Sequence, residues 1–306
     1  MPSAIEVRDL VKTYGDARAV DGISFSVEEG EVFAILGPNG AGKSTTVEIL
    51  EGHRTRTDGH VDVLGRDPAS GGRSFRDRIG IMLQTSGLDR ELTVREVVEL
   101  YGSPYSKRRP VDEVLALVEM TEKADARVAT LSGGQERRVD LALGLVGDPD
   151  LIFLDEPTTG FDPAARRRSW ETVRNLTSLG RTIVLTTHYL EEAEELADRL
   201  VVLSQGRIVA EGTPAELRAQ ADTGTKITFR LPLVDEPVAG LLEPLAGEAW
   251  GKGRDLEVLT PAPTADLAHL TGWALERGLE LEGLAVSSVT LEDVYLGLVG
   301  DEGERG

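Results

Sequence analysis

Residues 37–45 read GPNGAGKST, set between the apolar run VFAIL and the helical pattern TVEIL. Glycines at 37, 40 and 42 suit neither a strand interior nor a helix interior, so the strand must end and a helix must begin across this turn. Gly37, Gly42, Lys43 and Ser44 match G-x-x-x-x-G-K-[ST]. In that pattern the backbone N–H groups of the turn face inward around phosphates. The lysine reaches the β- and γ-phosphates, the serine hydroxyl ligates Mg²⁺, and the following helix presents its positive end. A strand–turn–helix unit of this kind is built into α/β folds with a mostly parallel sheet. An ordinary tight turn with an incidental lysine is the alternative, and the apolar strand before and the helical pattern after weigh against it.

The runs VFAIL, LIFLD (151–155) and TIVLTT (182–187) are almost wholly apolar, as expected of parallel strands covered on both faces. Further short strands are expected at 5–10, 22–27, 60–65, 79–83, 200–204 and 207–212. Residues 84–146 carry helical patterns and almost no strand signal, which reads as a helical subdomain inserted into the sheet. Pro163 and Gly180 are placed to start and end a helix between LIFLD and TIVLTT. Residues 1–220 are thus expected to form one α/β domain. Strand patterns at 226–233, 254–261 and 279–286 and helical patterns at 265–278 and 290–300 mark a small α+β module over 225–300. Its charge also sets it apart: from Ala221 onward 6 Lys and Arg face 16 Asp and Glu, a net −10 in 86 residues, while the first 220 residues carry the other half of the total −20. So acidic a chain is ill suited to a general nucleic-acid groove. Absence of cysteine excludes disulfides, thiolate metal sites and thiol catalysis. No basic segment leads into an apolar stretch at the N-terminus, so no signal peptide is expected, and no apolar run approaches the roughly 20 residues that span a bilayer. A membrane role would have to come through a partner.

The strand LIFLD ends in Asp155, followed by Glu156. A carboxylate at that strand end can lie near a metal held by the glycine turn, and the next acid can orient or deprotonate a water attacking the γ-phosphate. A second turn, LSGGQERR (131–138), puts two glycines after Ser132 at the start of a helical pattern but has no lysine. It can accept an anion without supplying a fixed charge, or Ser132 can be an ordinary helix cap.

LSGGQ resembles the signature sequence of ABC-type ATPases, and the resemblance covers roughly residues 4–215, with its motifs in the family's order. It implies a P-loop nucleotide-binding domain that takes ATP and Mg²⁺. In that family the signature closes over the γ-phosphate of ATP held by a second copy, so its lysine lies on the facing chain. Carried over by position, the resemblance implies nucleotide contacts from Gly37, Asn39, Gly40, Gly42, Lys43, Ser44 and Thr45. From the signature it implies Ser132, Gly133, Gly134 and Gln135. Metal contacts fall to Ser44, Asp155 and the loop residue Gln84, and catalytic roles to Lys43, Glu156 and the switch histidine His188. Asp162, in TTGFDP, is placed near the dimer axis; Phe161 stands where the family more often has Leu. Tyr14 matches an adenine-stacking aromatic, with a core-packed strand aromatic as the alternative. The segments GGQERRVDLALGLVGDPDLIFLDEPTTGFDP, HYLEEAEELADRL and SSVTLEDVYLGLVG are similar to daunorubicin-resistance-type exporter ATPases. That likeness implies a homodimer at the cytoplasmic face of the membrane, paired with a separate polytopic permease and exporting a drug or natural product. A soluble ABC ATPase and an importer subunit are the competing readings. The only histidine of the acidic module, His269, is expected to be structural.

Overall fold

The computed structural model describes residues 3–82, 87–220, 224–231, 239–288 and 295, and the chain divides into two compact units, Met1–Pro214 and Ala215–Gly306. The first unit opens with a long hairpin of β1 (Ser3–Tyr14) and β2 (Ala17–Glu28), followed by β3 (Val32–Leu36), α1 (Lys43–Leu50) and β4 (Asp58–Val63). Next come α2 (Gly72–Arg76), β5 (Ile79–Met82), α3 (Val94–Gly102), α4 (Val111–Leu117) and α5 (Gly133–Leu145). The unit then runs through β6 (Leu151–Asp155), α6 (Pro163–Ser178), β7 (Thr182–Thr187), α7 (Leu190–Leu196), β8 (Arg199–Ser204) and β9 (Arg207–Gly212). Helix α8 (Pro214–Gln220) follows.

Six strands form the central sheet in the order β5-β6-β7-β3-β8-β9, parallel except for the β8–β9 pair. Every residue of β3 and β7 is buried, as are the first four of β6. Their continuous apolar runs reflect cover on both faces. The second sheet, β2-β1-β4, is antiparallel, and Phe25 on β2 stacks on Phe33 of β3 with ring centroids 5.3 Å apart. Strand β1 runs beyond the expected 5–10 because a register shift around Asp9, which takes φ 48°, breaks the alternation without ending the pairing. Between β5 and β6 the described chain is helical. Thr93 and Glu96 close a reciprocal capping box on α3, and Ser132 and Gln135 close another on α5.

The second unit holds a four-stranded antiparallel sheet, β11-β12-β10-β13 in the present numbering: β10 (Thr225–Arg230), β11 (Glu248–Lys252), β12 (Asp255–Thr260) and β13 (Glu282–Ser288). Helices α9 (Ala239–Leu242) and α10 (Pro263–Glu276) accompany it, and Ile227, Phe229, Val258 and Leu270 centre its own core. Strand β11 and helix α9 were not expected. EAWGK and AGLL are each too short to carry a period. His269 lies on α10 with Nε2 3.1 Å from the Leu241 carbonyl, tying that helix to α9. Of the helix expected at 290–300, all but residue 295 lies outside the described residues.

Candidate nucleotide site

The turn after β3 needs its glycines for two physical reasons. Gly42 adopts φ 103°, and a Cβ there would lie 2.5 Å from the Ala19 carbonyl oxygen; at Gly37 a Cβ would meet the Leu203 oxygen at 2.4 Å. Gly42 also leaves the N-terminus of α1 without a side-chain cap, so the first amides of the helix stay available to a ligand. Lys43 is buried beneath the turn and its Nζ donates to the carbonyls of Gly37 (2.8 Å) and Pro38 (3.1 Å). Burial pushes the ammonium below the usual lysine range, opposed by the carboxylates of Glu156 and Asp155. Asn39, Gly40 and Ser44 are exposed and Thr45 half-buried.

Those two acids stand at the end of β6. Asp155 accepts a hydrogen bond from the Thr186 hydroxyl of β7. Glu156 is in the left-handed region at φ 46°, a conformation that costs a residue with a Cβ about 1–3 kcal/mol unless its surroundings impose it. Its carboxylate is fixed at both oxygens: Oε1 lies 3.1 Å from His188 Nδ1, and Oε2 accepts from the Thr159 hydroxyl at 3.1 Å. Burial favours the neutral acid. His188, Thr159 and the charge of Lys43 outweigh it and hold Glu156 below the usual carboxylate range, so it is ionised at neutral pH. Lys43, the adjacent acids Asp155 and Glu156, and His188 come from three distant stretches of the sequence and thus form one electrostatic cluster under the turn.

The second turn lies at the start of α5. Ser132 Oγ accepts from the Gln135 amide (3.4 Å), and Gln135 Oε1 accepts from the Ser132 amide (3.0 Å). Ser132 is therefore a helix cap, while Ser132 and Gly133 remain exposed. Asp162 likewise caps its own helix, accepting from the amides of Ala164 (2.9 Å) and Ala165 (2.8 Å). Tyr14 does not pack in the core: it is 44% exposed at the end of β1. Lys12 Nζ and the Arg54 guanidinium lie 5.1 and 5.3 Å from its ring centre. Gln84 lies outside the described residues.

Three contributors escaped the sequence reading. Thr186 and Thr159 hold the two acids. Arg137, two residues beyond the signature, is buried and donates from Nη2 to the main-chain carbonyls of Asp155 (2.7 Å) and Glu156 (3.1 Å). Loop Thr159 and helix Arg137 read first as surface, and Thr186 reads only as one more residue of the buried strand TIVLTT, so none of the three gives a sequence signal of this kind. Among the described residues no cluster of three or more His, Cys, Asp or Glu could hold a metal.

Residues 20–159 match the ABC transporter family, and residues 225–290 match the ABC transporter domain-containing protein-like C-terminal domain. A Nod factor export ATP-binding protein I from Burkholderia lata is 45% identical, with 99% of each chain covered. The daunorubicin resistance ATP-binding protein DrrA3 of Streptomyces coeruleorubidus is 39% identical over 98% of this chain and 97% of its own. Among solved structures, an ATP-binding subunit of an ABC transporter is 30% identical, covers 71% of this chain and 92% of its own, and superposes with a TM-score of 0.64. A dimeric post-hydrolysis state of the cassette MJ0796 bound to ADP and Pi is 28% identical over 68% of this chain and 98% of its own, with a TM-score of 0.62. The chain belongs to the ABC transporter family as one of its ATP-binding proteins. It is an ATPase of the P-loop cassette fold.

Proposed function

We propose that the chain is the ATP-hydrolysing subunit of an exporter, working as a homodimer at the cytoplasmic face of a membrane through a separate polytopic permease. No helix among the described residues is long and apolar enough to cross a membrane, so attachment falls to that partner. Both named relatives are export or drug-resistance proteins matched over nearly the full chain. That favours export of a drug-like or natural-product cargo over import or a soluble role.

In the proposed cycle the turn 37–45 binds the triphosphate, with Lys43 on the β/γ-phosphates and Tyr14 against the base. Ser44, at the first turn of α1, and Asp155, at the strand end, offer the hydroxyl and carboxylate oxygens that a hard cation prefers; Gln84 is assigned the same task. Mg²⁺ bound there would neutralise charge on the phosphates. The signature residues Ser132, Gly133, Gly134 and Gln135 of the second copy close over the γ-phosphate, with Asp162 near the dimer axis. Glu156 takes the proton of the attacking water, and His188 holds the Glu156 carboxylate and contacts the γ-phosphate. Opening of the spent dimer resets the permease.

The ionised, doubly anchored carboxylate of Glu156 beside Lys43 carries this reading. Replacing Glu156 by Gln keeps the shape and removes the base. Turnover should fall roughly 10²–10⁴-fold, MgATP should still bind, and an ATP-loaded dimer should accumulate by light scattering. Turnover close to that of the parent rules out the assignment.

A further inference from the structure

The left-handed conformation of Glu156 has to be imposed from outside the residue. On its N-terminal side the amide donates to both the carbonyl and the hydroxyl of Thr186, each at 3.1 Å. On the other side stands Arg137, whose Nη2 bridges the carbonyls of Asp155 and Glu156. The arginine is itself fixed: it is buried, and Asp140 one helical turn on lies 3.8 Å from Nη1. A guanidinium spanning successive carbonyls resists rotation of the backbone between them, since turning either carbonyl away would cost a buried charged donor one of its hydrogen bonds. Within the chain, then, the aim of the Glu156 carboxylate depends on α5.

Helix α5 begins at the signature turn, with Ser132 as its cap. Arg137 lies five positions beyond Ser132, a rise of about 7.5 Å along a stiff rod. A shift of the Ser132–Gln135 turn as it engages a phosphate therefore moves Arg137 and the carbonyls it grips.

We propose that Arg137 is a positioning residue for Glu156, through which the signature turn, engaged on the partner copy's nucleotide, sets the base that acts on the chain's own. The link between sites rests on the composite-dimer reading above; the grip on Glu156 does not.

Two substitutions test it. Arg137→Met keeps the unbranched apolar stem and removes every donor. Arg137→Lys keeps the charge without the fork. Misplacing the base by about 1 Å should lower kcat of Arg137→Met up to roughly 10²-fold, while MgATP affinity stays near the parent's and an ATP-loaded dimer builds up as in Glu156→Gln. Arg137→Lys should fall between. Cooperativity of turnover in ATP should decline in step with kcat. Parental kcat in Arg137→Met overturns the grip, as does a kcat loss matched by equal losses of nucleotide affinity and melting temperature that Lys does not relieve. If Arg137→Met does not fold, Arg137→Lys decides: parental kcat overturns the proposal and reduced kcat with intact binding supports it. A parent without cooperativity, or cooperativity preserved in Arg137→Met, overturns the link between sites. Glu156→Gln is the control on the dimer itself: if it forms none with ATP, the composite reading fails, while kcat of the Arg137 variants still reports on the grip.

Discussion

In the turn at 37–45 the space under the backbone is filled by Lys43, and the helix behind it starts without a side-chain cap. In the turn at 132–135 the side chains close on each other, Ser132 on the Gln135 amide and Gln135 on the Ser132 amide. Both are glycine-rich entries to helices, yet they have spent their donors differently. The first leaves the opening amides of its helix without a side-chain cap and adds a cation, so it can hold a polyanion alone. The second has already satisfied two amides internally and offers a hydroxyl and two glycine amides with no cation. A phosphate is held there only if its charge is balanced elsewhere, which agrees with a site whose lysine stands on another chain.

The strongest way to break this contrast is to remove the cation. Lys43→Ala should lower turnover roughly 10²–10³-fold, the range seen when a preorganised charge stabiliser is lost, and weaken MgATP binding. The fold should not suffer, because burial already disfavours the Lys43 ammonium. A melting temperature equal to or above the parent's, with turnover lost, separates the chemical role from a structural one. Turnover kept in a folded Lys43→Ala would make the two turns equivalent.

Next in size is a yes-or-no test of which chain the second turn serves. The chain has no native cysteine, and both Asn39 and Gly133 are exposed. Asn39→Cys and Gly133→Cys are made in separate batches, each with Glu156→Gln, then mixed with ATP and a short bis-maleimide, which adds one cysteine thiol across each of its two double bonds. A covalent dimer should appear in the mixture and far less in either batch alone. If a chain carrying both substitutions instead closes an internal bridge, and the mixture stays monomeric with nucleotide bound, the turns face each other within one chain and the composite reading is wrong.

How legible each turn was in the sequence follows from what builds it. Gly37, Gly42 and Lys43 could be read because a backbone pressed against the Ala19 and Leu203 carbonyls tolerates no side chain, so composition records the geometry. The buried strands VFAIL and TIVLTT were legible for a similar reason, cover on both faces. Arg137 was not, because burial of an arginine is decided by a partner 18 or 19 residues away along the chain. The φ 46° of Glu156 was equally hidden, since no residue type announces a left-handed glutamate. Tyr14 needed the structure as well: only its 44% exposure removes the core-packing alternative. At Ser132 the two alternatives proved not to compete, for the cap is present and the exposed hydroxyl can still face a ligand.

The smallest effect bears on that last point. Ser132→Ala removes the acceptor for the Gln135 amide. The bond is long at 3.4 Å and exposed, so the loss should sit at the low end of cap substitutions, about 0.5–1 kcal/mol. In a unit of this size that lowers the melting midpoint by about 1–4 °C. Ser132→Asp should recover the midpoint, because aspartate caps as well as serine does and adds a favourable charge at the helix N-terminus. The two readings part at turnover. A Ser132 that only caps its helix predicts that Ser132→Asp restores ATP hydrolysis together with stability. A Ser132 that also meets the γ-phosphate of the facing copy predicts the opposite, since a carboxylate set against a phosphate repels it. Stability should then return while turnover stays low and the ATP-loaded dimer no longer builds up in the Glu156→Gln background. Melting curves and steady-state rates on the same samples of Ser132→Ala and Ser132→Asp decide between them.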